Sequence, residues 1–153
     1  MKWRSSISGK KGRRTLACFS GGLPVGTAID AKKGRLFLGC RGPRKLIVMN
    51  TRDGKVLADL PIGESVDAIK LDHGEAFAST AGSQLFVARE ISPGKFVVAQ
   101  TVQTGEGART MALDPTTHRI YLPSAEFETG ANGRRPQKAG TFKILVVARQ
   151  AVK

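Results

Sequence analysis

At 153 residues, with 41% hydrophobic residues, 24% charged residues and 18 glycines, the chain has the size and composition of one glycine-rich globular domain that can bury its own core. Its formal charge of +13 lies at the ends: residues 1–20 hold six bases and residues 134–153 six more, neither with an acid, while the remaining 13 bases face all 12 acids, a body at +1. That distribution excludes a dedicated reader of nucleic-acid sequence, leaving only salt-sensitive, non-specific attraction of polyanions, and the lack of any run of about 18 apolar residues excludes a membrane-spanning helix.

In chain order, residues 1–20 come first as a basic segment expected to be poorly ordered in part. Lys2 and Arg4 could mimic the start of a signal peptide, but Ser5, Ser6, Ser8 and the basic stretch from Lys10 to Arg14 stand where an apolar region is required. The apolar stretch after Arg13-Arg14 ends at Phe19, too short for a twin-arginine or lipoprotein signal. Strand-forming runs bounded by turn residues then follow one another. The first unit, 21–62, has them near 26–30, 35–40, 45–50 and 56–62, with turns at Lys32-Lys33-Gly34, Gly42-Pro43 and Arg52-Asp53-Gly54. The second, 63–104, has them near 66–71, 75–79, 84–89 and 96–102, with turns at His73-Gly74, Gly82-Ser83 and Ser92-Pro93-Gly94. The third, 105–149, has only three, near 109–113, 119–123 and 141–148, before a short tail at 150–153. No stretch holds a helical period, and the gaps are too short for crossover helices, so the fold is all-β.

The three units are one pattern repeated. Gly21, Gly63 and Gly105 recur every 42 residues, as do Asp30, Asp72 and Asp114, and a Glu follows the glycine in Glu64 and Glu106. A strand-built period of this length is that of a β-propeller blade, a four-stranded antiparallel sheet. The expectation is a partial propeller of about three blades, the last incomplete, in which the repeated glycines and aspartates are structural, each Asp bonding its own turn backbone.

The residues resemble the YVTN-type, YncE-like β-propellers over residues 21–149. The resemblance is carried by Ala28-Ile29-Asp30, Lys33 to Leu38, Lys45 to Asn50 and Gly54 to Gly63 in the first unit, and by Met111 to Pro123 with Phe142 to Val147 in the third. The name-giving tetrapeptide is replaced by Leu38-Gly39-Cys40 and Tyr121-Leu122-Pro123, so the whole-blade pattern makes the match. The resemblance implies closed rings of about seven blades, against which three make an arc. The chain is therefore expected to be a C-terminal fragment or truncated member of that family, with open blade edges that favour self-association. It also implies an exported or periplasmic protein, although this chain has no convincing signal peptide.

Catalytic chemistry is thinly represented. The two histidines, His73 and His118, fall in separate strand-connecting turns and are expected to be solvated there; Cys18 and Cys40 form no CxxC pair, and Cys40 reads as a small apolar strand residue. No catalytic, cofactor or metal site is expected. Blade topology puts the inter-blade crossovers and the second-to-third strand loops on one face, which would carry Glu64, Ser65 and Asp67, Glu106 and Arg109, and the loops 41–44 and 124–140. The last loop is the longest and holds Arg134 and Arg135 among turn formers, a binding element of the kind repeat proteins place on one face. The expected function is a non-enzymatic binding or scaffold module for an unknown protein or small-molecule ligand. The alternatives are a remnant of a lactonase-like or reductase-like propeller enzyme whose catalytic blades are absent, or a weak polyanion binder through its basic ends.

Overall fold

The computed structural model describes residues 22–130 and 133–150. It is all-β: three antiparallel sheets stacked face to face as propeller-type blades. The first holds β1 (Pro24–Asp30), β2 (Arg35–Arg41), β3 (Arg44–Asn50) and β4 (Val56–Pro61), paired in sequence order. The second repeats this with β5 (Val66–Asp72), β6 (Glu75–Thr80), β7 (Gln84–Ser92) and β8 (Lys95–Gln103). The third has three strands among the described residues, β9 (Ala112–Asp114), β10 (Arg119–Ser124) and β11 (Lys143–Val147). Its first strand is shorter than the run at 109–113 suggests, because the backbone there is bonded out of the ladder: the Arg109 N–H donates to Gly107 and the Ser79 hydroxyl donates to the Arg109 carbonyl. The Thr15–Ser20 segment, Cys18 and the repeat glycine Gly21 lie outside the described residues.

Strand alternation explains how one sheet serves two neighbours. In β6, Ala76 and Ala78 face the first blade while Phe77 faces the third, so this strand of the middle blade is buried on both sides. The first interface joins Phe37, Leu46 and Val48 to Val66, Ile69, Phe86 and Phe96, with Phe37 and Phe96 meeting edge to face at 5.9 Å. The second joins Phe77, Leu85 and Val87 to Ala108, Met111, Ile120 and Leu122. On the opposite side of the first sheet, Cys40, Ile47 and Met49 form a small separate cluster.

The repeat glycines Gly63 and Gly105 sit where the crossover presses on the next strand pair. A Cβ on Gly63 would stand 2.9 Å from Gln84 Oε1 and 3.0 Å from the Phe86 ring, and one on Gly105 would stand 2.3 Å from Ser124 Oγ, so neither position has room for a side chain.

The repeat aspartates divide by loop length. Asp30 pairs with Arg35 and Asp114 with Arg119 across four-residue turns, and each carboxylate caps its own turn, accepting from Lys33 N at 3.0 Å and from Thr116 N at 2.8 Å. Asp72 departs from the expected self-bonding. It pairs with Glu75 across a two-residue turn in which His73 and Gly74 both have positive φ, 46° and 78°, a hairpin too tight to offer that cap. The Asp72 carboxylate instead accepts from His118 of the next blade.

Candidate functional site

Because the strands alternate direction, two opposite ends of the blade stack collect the loops. One end carries the crossovers and the second-to-third strand loops; the other carries the first-to-second strand turns with Asp30, Asp72 and Asp114.

At the first end the ladder of β5 begins at Val66, which places Asp67 between two neighbouring blades. Its carboxylate pairs with Arg41, from the end of β2, and at 3.1 Å with Nε of Arg109, from the crossover into the third blade. Arg41 is fixed further by donating from Nε to the Val66 carbonyl at 3.1 Å. One acidic side chain, only 16% exposed, thus ties all three blades at a single point. Glu64 pairs with Arg44 at 3.0 Å, and both groups are well exposed.

The long loop after β10 is built rather than loose. Backbone bonds from Glu128 N to Pro136 O, Gly130 N to Arg134 O and Lys138 N to Glu126 O, with a bridge between Phe127 and Gln137, make it a short hairpin arm. Arg135 lies over the Phe127 ring at 5.8 Å and pairs with Glu106, tying the arm to the crossover beneath it. Gly107 makes this fit: its φ is +70°, and a Cβ would stand 2.8 Å from the Phe127 ring. The expected face residues Glu64, Asp67, Glu106, Arg109, Arg134 and Arg135 therefore share one end of the molecule, with Arg134 and Arg135 exposed on the arm.

The other end holds what the sequence does not announce. His73 and His118 belong to different turns 45 positions apart, yet blade stacking brings their rings to 4.0 Å between centroids at 49°. His118 Nδ1 lies 3.0 Å from Asp72 Oδ2 and 3.2 Å from Oδ1. On the same end, Glu90 accepts from Gly94 N at 2.7 Å and from Arg35, and pairs with Lys33 at 3.5 Å; the Gly94 hydrogen bond first, then Arg35 and Lys33, holds its carboxyl below the usual range. Asp114 is lowered likewise, chiefly by the Thr117 hydroxyl at 2.5 Å and the Thr116 N–H.

No family model matches the chain, and no curated protein matches its sequence. Among solved structures it is similar to hydrazine synthase of Kuenenia stuttgartiensis, at TM-score 0.58 and 15% identity over 67% of this chain and 30% of that one. It is also similar to the computationally designed Ika4 protein, at TM-score 0.54 and 14% identity over 90% of this chain and 99% of that one. The chain thus spans less than a third of the hydrazine synthase chain. At these identities the likeness extends to the fold, and among the described residues no helix is long and apolar enough to cross a membrane. What the comparisons establish is an all-β chain of propeller-type blades.

Proposed function

We propose that this chain is a non-enzymatic recognition module of the propeller type, related to the YVTN-type propellers it resembles, which takes a protein or small-molecule ligand on the face of Asp67, Glu106, Arg109 and the 124–140 arm. The observation that carries the reading is the Asp67 junction, which fixes crossover and loop from three blades into one surface beside an arm that is itself hydrogen-bonded and seated on Gly107. A rigid scaffold presenting a protruding arginine-bearing loop suits recognition. Glu64, Asp67 and Glu106 are each engaged by an arginine, which supports a charge-compensated contact surface over an acid–base site.

The test is a selection of peptide and small-molecule libraries on the full chain, repeated with R134A/R135A and with a variant altered at the opposite end, D30N/D114N. Ligands lost with the arm arginines and kept by the opposite-end variant are expected. Ligands that behave the other way round, or that are chemically turned over, would overturn the reading.

A second reading concerns copies of the chain. Among the described residues β11 pairs only with β10; Ile144 and Val146 on it are 49% and 53% exposed, and Phe142 just before it is 62% exposed. An edge strand with an apolar face invites antiparallel pairing with the same strand of a second copy. Sedimentation should then depend on concentration and lose that dependence in I144K/V146K; a monomer at all concentrations would exclude it.

A further inference from the structure

We propose that Asp72, His73 and His118 form a divalent transition-metal site that clamps the second blade to the third, at the end of the molecule opposite the proposed recognition face. Each of the three offers a ligand atom, and these atoms lie within 4.8 Å of one another. Two ligands on one tetrahedral zinc ion, with bonds of roughly 2.0–2.2 Å, stand roughly 3.3 Å apart. The Asp72 Oδ2 to His118 Nδ1 separation of 3.0 Å already approaches that edge. His73 completes the set from the exposed turn of the second blade, with its ligand atom within 4.8 Å of the other two.

The backbone adds an independent observation. The residue immediately before the second strand of each blade has positive φ: Gly34 at 64°, Gly74 at 78° and His118 at 57°. The third blade thus puts an imidazole where the other two place glycine, and His73, at 46°, is also left-handed.

Two clefts flank the group and leave room for solvent on the remaining coordination positions. One, of about 490 Å³, is lined by Asp72, Glu75, Arg89, His118 and Arg149; the other, of about 470 Å³, by Asp30, Lys32, Asp72, His73 and Glu75. The cations that would oppose an incoming ion are partly engaged: Arg149 pairs with Glu75 at 2.6 Å, and Lys33, whose Nζ lies 3.9 Å from the place a Gly74 Cβ would occupy, pairs with Glu90 at 3.5 Å. Two imidazoles and one carboxylate are a borderline donor set, suited to zinc, nickel or copper rather than calcium or magnesium.

Zinc is the probe. Calorimetry on the full chain should show one zinc bound per chain, weakened about tenfold or more in each of D72N, H73Q and H118Q. The melting temperature should rise with zinc in the wild type and stay flat in H73Q/H118Q, because only a ligand of the folded state stabilises it. Imidazole nitrogen resonances of the unaltered protein give a readout that needs no variant: both histidines should shift together on zinc addition. Unmoved imidazole signals, or an H73Q/H118Q variant that binds zinc like the wild type, would overturn the proposal. Both outcomes are distinct from failure of the recognition face, whose residues lie at the other end.

Discussion

Asp67→Ala tests whether one carboxylate holds the three blades in register. The residue is 16% exposed and pairs with Arg41, 35% exposed, and Arg109, 55% exposed. A partly buried charged hydrogen bond is worth about 1.5–3 kcal/mol, and an exposed ion pair about 0–1 kcal/mol. Arg41 keeps its bond to the Val66 carbonyl after the substitution and can rehydrate in part, which places the expected loss at about 2 kcal/mol. For a chain of this size that lowers the melting temperature by roughly 4–8 °C. Thermal and urea unfolding of the wild type, D67A, R41A, R109A and the two double variants would give the couplings. That of Asp67 with Arg41 should be about 1–2 kcal/mol and that with Arg109 below about 0.5 kcal/mol. A D67A loss under about 0.5 kcal/mol, or a larger coupling to Arg109 than to Arg41, would refute the reasoning.

Gly107→Ala places a methyl against Phe127 at a φ of +70°, so a loss of about 1–3 kcal/mol is expected from backbone strain and displacement of the arm. Amide exchange should speed up at Glu128, Gly130 and Lys138 while β7 stays protected; unchanged exchange in the arm would count against its being seated on Gly107. The carboxyls of Glu90 and Asp114 are held below their ordinary values of 4.5 and 3.8, so their stabilising contribution is full above those values and is lost as pH falls through the lowered folded ones. Unfolding measured between neutral and acid pH should show that decline, and E90Q should flatten it; an E90Q profile parallel to the wild type would exclude Glu90 as a contributor. Binding to a polyanion such as heparin should be weak and salt-sensitive, and should weaken clearly when the six bases of residues 1–20 are changed to glutamine, with the remainder carried by the six bases of residues 134–153, since the chain between the two basic ends carries only +1. Tight binding that survives moderate salt in that variant would place the polyanion elsewhere.

The sequence by itself determined the blades. Short β-branched and aromatic runs between turn residues, repeated at 42, locate all eleven strands to within three residues at either end, because a strand's alternation and its turn chemistry are local properties. The start of β9 shows where this stops: Arg109 to Met111 read as strand, but the Arg109 backbone is taken up by the crossover and by Ser79 of the neighbouring blade, a partner distant in sequence. The loop end was likewise legible as a set of residues, since topology alone sends Glu64, Asp67, Glu106 and Arg109 to one side. Which arginine meets which acid was not, nor that the 124–140 loop is a hairpin arm, because those contacts depend on how blades stack. The meeting of Asp72, His73 and His118 belongs wholly to the tertiary structure. In sequence the histidines are two unrelated turn residues, and the only trace of their meeting is His118 standing where the other blades have glycine before the second strand. Packing one sheet on the next brings the two turns together across an interface that local preference cannot encode.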